Sequence, residues 1–450
     1  MSRKTEISPV RQGYSHPAKV RGLVTEDGIE DREEAGIAGR QSQISNQQSA
    51  IRIALLTGGG DKPYALGIAA ALTCRGIHLD FIGSDDLISP ELLANPRVDF
   101  LNLRGDQRPE ASPVAKALRV LHYYVRLVRY AATARPKVFH ILWNNKFQLV
   151  DRILLMFYYK ALGKRVVFTA HNVNAGERDS NDSWLNRCAL KIQYTLSDHI
   201  FVHTDGMKGE LGTEFSIPKR KISVIPFGIN NTVPNTSLSS AEAKCGLGID
   251  SSDKAVLFFG NIAPYKGLEY LVAAFSDLVR EDRSYRLIIV GKPKGSEDYW
   301  KQIQETIARS CIRDRVIEKI EYVPDETTEL YFKAADVLVL PYAQVFQSQS
   351  GVLFLGYSFG LPAIAADVGS LREEIIEGKT GFVFRPQDSF DLARTIERYF
   401  ASDLFLNLEG RRTEIKEYAN ERYSWDKVAK ITTAVYSDLL TKCRPLTSDL

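Results

Sequence analysis

A chain of 450 residues has room for two ordinary α/β domains of roughly 100 to 200 residues each. Its 44% hydrophobic and 25% charged residues exclude global disorder and a membrane-embedded bundle. Net charge is +3 but unevenly shared: residues 51–235 carry 24 Lys and Arg against 16 Asp and Glu (+8), while residues 236–450 carry 27 against 32 (−5).

A basic first half suits an anionic membrane surface or an anionic acceptor, although a merely solvated surface gives the same count. Nucleic acid is disfavoured, because no Lys/Arg run interleaves with aromatic residues. Residues 1–50, rich in Ser, Gln, Glu, Arg and Gly without apolar periodicity, read as a disordered leader. They lack the apolar core of a secretory signal, and no later stretch reaches the roughly 20 apolar residues that span a bilayer. Cys74, Cys188, Cys245, Cys311 and Cys443 have no metal-ligand spacing and predict reduced thiols in a cytoplasmic protein, peripheral at most to the inner face of a membrane.

From Ile51 onward short β-branched runs alternate with helical periodicity, which predicts βαβ units and parallel sheets. The first strand is Ile51–Thr57, followed by Gly58, Gly59, Gly60 and Asp61 and a helix from about Tyr64 to Arg75. A glycine-rich strand-to-helix turn lets a ligand approach backbone N–H groups. Strands at Asp80–Gly83, Val138–Trp143, Arg165–Thr169, His199–His203 and Ile222–Ile225 complete one Rossmann-like domain, residues 51–235. A helix over Ala115–Ala134 puts Leu118, Leu121, Val125 and Val128 on one face. Packing against its own sheet is the favoured reading, and lying on a membrane surface the alternative.

The polar stretch Asn230–Ser240 predicts a linker. A second series then runs through Ala255–Phe259, Arg286–Val290, Val316–Glu321, Val337–Leu340, Ala363–Ala366 and Phe382–Phe384, a second Rossmann-like domain over residues 236–450. A last helix, roughly Asp426–Leu440, could cross back to the first domain.

In open α/β sheets ligands bind beyond the carboxyl ends of strands, so the residues after each strand carry the chemistry. Phe259–Gly267 (FGNIAPYKG) offers backbone N–H groups and Lys266 to a diphosphate, and a solvated loop lysine is the plain alternative. Gln347, Ser348, Gln349, Ser350, Gly351 and Val352 precede an apolar helix, whose start would present free N–H groups to an anion. His171, in Thr169–Asn172 (TAHN) after a strand, is placed to hydrogen-bond a sugar hydroxyl or to be structural. Trp143, Asn144 and Asn145 suit stacking on and hydrogen-bonding a sugar ring, and burial of Trp143 fits as well. No Asp-x-Asp stands at a strand end, so no metal is demanded.

Taken in order, GGG at Gly58–Gly60, TAHN, FGNIAPYKG, SGVL at Ser350–Leu353 and FGLPAIAADVGSLRE at Phe359–Glu373 resemble the retaining family 4 glycosyltransferases. The likeness runs from Ile51 to near the C-terminus and implies the GT-B fold, two Rossmann-like domains facing across a cleft. It also implies a hexosyltransferase-type enzyme that takes sugar from a UDP-, GDP- or ADP-linked donor to a saccharide or lipid-linked saccharide acceptor, in glycan or surface polysaccharide synthesis. By that resemblance Lys266 holds the diphosphate, the backbone of Ser350, Gly351 and Val352 adds contacts, and His171 reaches the transferred sugar. Gly59 and Gly60 border the donor and acceptor, with Asn261 and Gln347 at the donor. The sequence departs from the family twice: Asn261 and Ala263 stand where an arginine is common, and Gln347 and Leu355 replace two glutamates. The departures keep open a non-catalytic nucleotide-sugar binder, and other GT-B enzymes such as an epimerase or a phosphorylase remain alternatives.

Overall fold

A computed structural model describes residues 51–107, 112–145, 147–178, 182–231, 233–293, 295–343 and 349–441, all in one unit running from Gln48 to Leu450. The predicted leader and Gln347 lie outside the described residues. Two sheets carry the architecture. The first holds β1 (Arg52–Leu56), β2 (His78–Gly83), β3 (Val98–Asn102), β4 (Val138–Ile141), β5 (Arg165–Thr169), β6 (His199–Val202) and β7 (Ile222–Val224), all parallel, in the order β3-β2-β1-β4-β5-β6-β7. The second holds β8 (Lys254–Phe259), β9 (Tyr285–Val290), β10 (Val316–Lys319), β11 (Val337–Leu340), β12 (Ala363–Ala366) and β13 (Gly381–Phe384), also parallel, in the order β10-β9-β8-β11-β12-β13.

Helices cover both faces of each sheet, so central strands are continuously apolar rather than alternating. Ile53, Ala54 and Leu55 in β1, and Val337 to Val339 in β11, are wholly buried. Strand order reverses beside β1 and again beside β8, and each reversal opens a crevice at the strands' carboxyl ends. Edge strand β3 escapes sequence reading because its VDFLN stretch is only half-buried and carries the exposed Asp99. The fourth strand is shorter than expected: β4 stops at Ile141, Leu142 still donates to the Leu56 carbonyl at 2.9 Å, and Trp143 lines the crevice.

The helices that matter below are α1 (Lys62–Cys74), α2 (Pro113–Thr133), α3 (Met156–Ala161, preceded by a π-helical turn at Val150–Leu155), α4 (Trp184–Leu196), α5 (Leu268–Glu281), α6 (Gly351–Ser358) and α7 (Trp425–Thr441). Helix α7 crosses back to the first sheet. Its Val428, Ala429, Tyr436 and Leu439 join the core built by β1 and α1, Arg75 pairs with Asp426 at 2.7 Å, and the Tyr436 hydroxyl lies 2.5 Å from His140 Nδ1. Gly67 makes room for this return, since a Cβ there would sit 2.3 Å from the Trp425 ring.

Helix α2 corrects the favoured sequence reading. Its buried residues are Tyr123, Leu127 and Ala131, while Leu118, Leu121, Val125 and Val128 are 52, 61, 50 and 38% exposed. Tyr123, Leu127, Ala131 and the half-buried Tyr130 face the sheet instead: Tyr130 stacks on Phe139 of β4 and donates to Asp80 of β2 at 2.7 Å, which fixes the helix's rotation and turns the aliphatic stripe outward.

Candidate functional site

A cleft of about 580 Å³ opens between the carboxyl ends of the two sheets. Its first-domain wall includes Asp61, Tyr64, Trp143, His171 and Asn172, and its second-domain wall includes Tyr265, Lys266, Tyr342, Ser350, Gly351 and Val352.

The second-domain wall begins where β8 ends. The chain turns through Gly260 (φ 116°), forms a single 3₁₀ turn over Pro264–Lys266, and enters α5 through Gly267 (φ 65°). Only glycine fits this last position: a Cβ would lie 1.9 Å from the Pro341 carbonyl oxygen, and left-handed backbone strains any L side chain. The loop is thereby pressed against the end of β11, and Lys266 is carried into the cleft. Its ammonium sits 3.7 Å from the centre of the Tyr342 ring and donates to the Tyr342 hydroxyl, which in turn lies 2.8 Å from Ser350 Oγ. Ser350 occupies the N-cap position of α6 without capping it, because its hydroxyl is engaged by Tyr342. Among the described residues no group accepts from the N–H of Gly351 or Val352. One held cation and two N–H groups without an acceptor among the described residues, at a helix start, form a corner that could receive an anion.

The first-domain wall is built differently. The start of α1 is not open to a ligand, since Asp61 caps it by accepting from Tyr64 N at 2.8 Å. The glycine turn admits Trp143 instead: a Cβ on Gly58 would meet the Trp143 carbonyl oxygen at 2.3 Å, and one on Gly60 the indole at 1.9 Å. Gly59 and Gly60 are exposed beside the cleft rather than in its lining. Trp143 so placed stacks on His171, with ring centres 4.0 Å apart and planes 3° from parallel, while the buried Tyr64 meets the same imidazole edge-on at 4.7 Å.

The hydrogen bonds fix the His171 tautomer. His203 Nδ1 lies 3.2 Å from the Ile225 carbonyl oxygen, which can only accept, so Nδ1 carries the proton and His203 Nε2 is an acceptor. That nitrogen is 2.9 Å from His171 Nδ1, which therefore donates, leaving His171 Nε2 as a bare acceptor. Nε2 is enclosed and has no hydrogen-bond partner among the described residues. Burial, reinforced by His203 and His140, pushes the His171 pKa well below the ordinary histidine value, and burial lowers that of His203 to about 4. The imidazole is thus neutral at physiological pH, and its Nε2 is an acceptor that a sugar hydroxyl reaches once the side chains enclosing it shift.

Of the remaining residues singled out in the sequence, Gln349 and Leu355 line the cleft and Asn144, Asn145 and Asn261 do not. Asn144 exchanges hydrogen bonds with Gln193 at 2.8 and 3.0 Å, and Asn145 is bound to Asp151, so both amides brace the loop behind Trp143. Asn261 is exposed and outside the lining. Leu355 does line the cleft, one turn beyond Gly351. Sequence reasoning missed Tyr342, whose signal was its place directly after β11. It also missed Asp325, which faces Asp61 across the cleft: burial raises both pKa values, and the Asp325 charge adds to the shift of Asp61. Gln349 ties the walls together, accepting from Phe227 N at 3.2 Å and donating to Glu374.

Family models match both halves: Glycosyltransferase Family 4 over residues 58–232 and Glycosyl transferases group 1 over residues 253–402. A D-inositol 3-phosphate glycosyltransferase of Corynebacterium urealyticum is 28% identical over 290 residues, covering 62% of this chain and 66% of its own length. The match to the Streptomyces bingchenggensis enzyme of that name spans 55% of the relative, so the chain spans about half to two thirds of these relatives. An uncharacterized glycosyltransferase of Methanocaldococcus jannaschii is 28% identical over 378 residues, 81% of this chain and 93% of that one. Among solved structures, Anabaena HepE with UDP and glucose superposes with a TM-score of 0.66 at 17% identity, over 86% of this chain and all of that one. Sucrose-phosphate synthase of Thermosynechococcus elongatus gives 0.67 at 19%, over 87% and all. These two likenesses bear on the fold, which is GT-B.

Proposed function

The chain belongs to the group 1, family 4 glycosyltransferases, and from that premise we propose that it transfers a hexosyl group from a nucleoside diphosphate sugar to a saccharide or lipid-linked saccharide hydroxyl, with retention. One observation carries the reading: the anion corner of Lys266 and the Gly351 and Val352 N–H groups forms one wall of the cleft, and the bare acceptor nitrogen of His171 belongs to the other. A diphosphate docked in the corner would be flanked by a neutral hydrogen-bond acceptor where its sugar must lie.

The reaction asks little more of the protein than charge placement. As the C1–O bond to the β-phosphate breaks, its electron pair goes to the phosphate oxygen, and Lys266 with the helix N–H groups stabilises that growing charge. The acceptor oxygen bonds to C1 from the same face and passes its proton to the departing phosphate. His171, held neutral and fixed in one tautomer by His203, orients the sugar through a hydroxyl. HepE was solved with UDP-glucose, which supports a UDP-linked hexose as the first donor to try.

One feature favours a second reading, a binder without transfer: Leu355 faces the cleft where it can offer no hydrogen bond to a ribose hydroxyl. A thermal-shift titration with UDP, GDP, ADP and their sugar conjugates, followed by acceptor-dependent release of the nucleoside diphosphate, separates the cases. A ligand at 100 times its Kd adds about 2.7 kcal/mol of stability. Binding with turnover supports transfer, binding without turnover over a broad acceptor panel supports the binder, and no shift from any nucleotide refutes both.

A further inference from the structure

The first-domain face formed by α2, α3 and α4 presents an exposed apolar layer. On α2, Val114, Leu118, Leu121, Val125 and Val128 follow one another at spacings of four and three and are 38 to 69% exposed, a single stripe pointing away from the sheet. The neighbouring helices extend it. Leu154 and Phe157 are 64 and 54% exposed, Trp184 and Leu185 at the start of α4 are 79 and 49% exposed, and Phe147 and Leu149 continue the layer on the loop after β4 at 53 and 44%.

The three helices form one continuous surface. Tyr158 donates to the Val128 carbonyl at 3.1 Å, Arg152 donates to Asn186 at 2.6 Å, and the Tyr124 ring stacks on Phe147 at 6.1 Å. Such a patch on a monomer marks an interaction site. Its charge says which kind.

Of the eight Lys and Arg in the spans Pro113–Thr133, Val150–Ala161 and Trp184–Leu196, Arg152 is buried, Arg187 pairs with Glu177, Asp182 and Glu214, Lys160 pairs with Asp198 and Arg119 lies 3.9 Å from Asp106, so the exposed Lys116, Arg126 and Arg129 on α2 and Lys191 on α4 carry the positive charge of the face. On α2, Arg126 and Arg129 are exposed, each one residue and about 100° around the helix beyond a member of the stripe. On α4, exposed Lys191 shares a face with Trp184, two turns away. Helix α2 itself contains no Asp or Glu, and an apolar stripe with a cationic flank is the pattern of a helix lying in a bilayer interface among anionic headgroups. No described helix is long and apolar enough to cross a membrane. A second copy of the chain fits less well, because the exposed cations of α2 have no acid on that helix to meet across a two-fold contact of α2 with α2.

We propose that this face docks the protein on the surface of an anionic lipid bilayer. The dock adjoins the cleft: Trp143 lines the cleft, and Phe147, four residues on along the same loop, belongs to the apolar layer. A lipid-linked acceptor in that bilayer meets the cleft at its first-domain lip. The docking surface stands whatever the donor is, and its failure leaves the transfer reading untouched.

The test is flotation of the full chain with vesicles of phosphatidylcholine alone, and with vesicles in which about a third of the lipid is phosphatidylglycerol. The expected partition onto anionic vesicles exceeds that onto neutral ones by about tenfold or more, and falls as salt is raised toward about 0.5 M. The double variant Leu121→Glu, Val125→Glu lowers it at least about tenfold, and Arg126→Glu, Arg129→Glu lowers it on anionic vesicles alone. All four side chains are solvent-exposed, so circular dichroism and the nucleotide-induced thermal shift should match the parent. Equal partition onto neutral and anionic vesicles, absence of binding, or unchanged binding of the double glutamate variant each overturns the proposal. So does a dimer in the parent that the glutamate variant dissociates, which would make the face a self-interface.

Discussion

Removing the Lys266 ammonium is the most direct test of the anion corner. In the structure this group does two things: it lies 3.7 Å over the Tyr342 ring and donates to the Tyr342 hydroxyl, and it faces the cleft beside the open N–H groups of Gly351 and Val352. The first role is a half-exposed cation–π contact worth about 0.5 to 1 kcal/mol, so Lys266→Ala should cost only a few degrees of Tm at most. The second is a hydrogen bond between two charged partners, worth about 1.5 to 3 kcal/mol. At 1.4 kcal/mol per factor of ten, the Kd of a nucleoside diphosphate should rise roughly 10- to 150-fold. Calorimetric titration of parent and variant with the preferred nucleotide measures this, and scanning calorimetry without ligand measures the stability term. A Kd within about twofold of the parent, with an intact fold, would mean the lysine merely packs on Tyr342 and the diphosphate lies elsewhere.

His171→Ala should leave nucleoside diphosphate affinity unchanged while weakening the sugar conjugate by about 1 kcal/mol, the worth of one ordinary hydrogen bond. Equal losses for both ligands would place His171 away from the sugar. Gly267→Ala should destabilise far more than Gly378→Ala: both glycines have positive φ, 65° and 74°, but a Cβ on Gly267 meets the Pro341 carbonyl at 1.9 Å and one on Gly378 meets nothing within 4 Å. Urea denaturation should give about 1 kcal/mol of strain at Gly378 and clearly more at Gly267, and equal losses would contradict the loop geometry. Stability should fall as pH drops below about 6.5. Burial holds His203 to a folded pKa of about 4, below the unfolded value, so the unfolded chain binds the extra proton and stability is lost as pH falls through that window, at up to about 1.4 kcal/mol per pH unit. His203→Gln should flatten the slope between about pH 6 and 4.5 by that amount, and an unchanged slope would show that His203 is not buried neutral.

Much of the fold was legible because parallel sheets advertise themselves. A strand buried on both faces must be apolar at every position, and runs such as VLFF and VLVL leave little ambiguity. Edge strand β3 was not legible, because its burial is set by β2 rather than by its own composition. At the site, Lys266, Ser350, Gly351, Val352, His171 and Trp143 line one cleft; the signal was position after a strand for Lys266, His171 and Trp143, and the start of an apolar helix for Ser350, Gly351 and Val352. Asn144 and Asn145 follow a strand as well, yet their amides turn to Gln193 and Asp151. A loop's direction depends on what it packs against, and local spacing does not contain that.

The sequence by itself determined two parallel α/β domains and the family, since strand patterning and glycine positions are local properties of the chain. Only the tertiary structure decided that Asp61 closes the start of α1 and that Tyr342 withdraws Ser350 from capping α6, leaving one helix start shut and the other open. It also decided the protonation of His171, which rests on a carbonyl 54 residues away reached through His203, and the outward turn of the α2 stripe. An amphipathic pattern says that a helix has two faces. Which face meets the sheet depends on the groove beneath it, and here Tyr123, Leu127 and Ala131 occupy it while Tyr130 hydrogen-bonds Asp80.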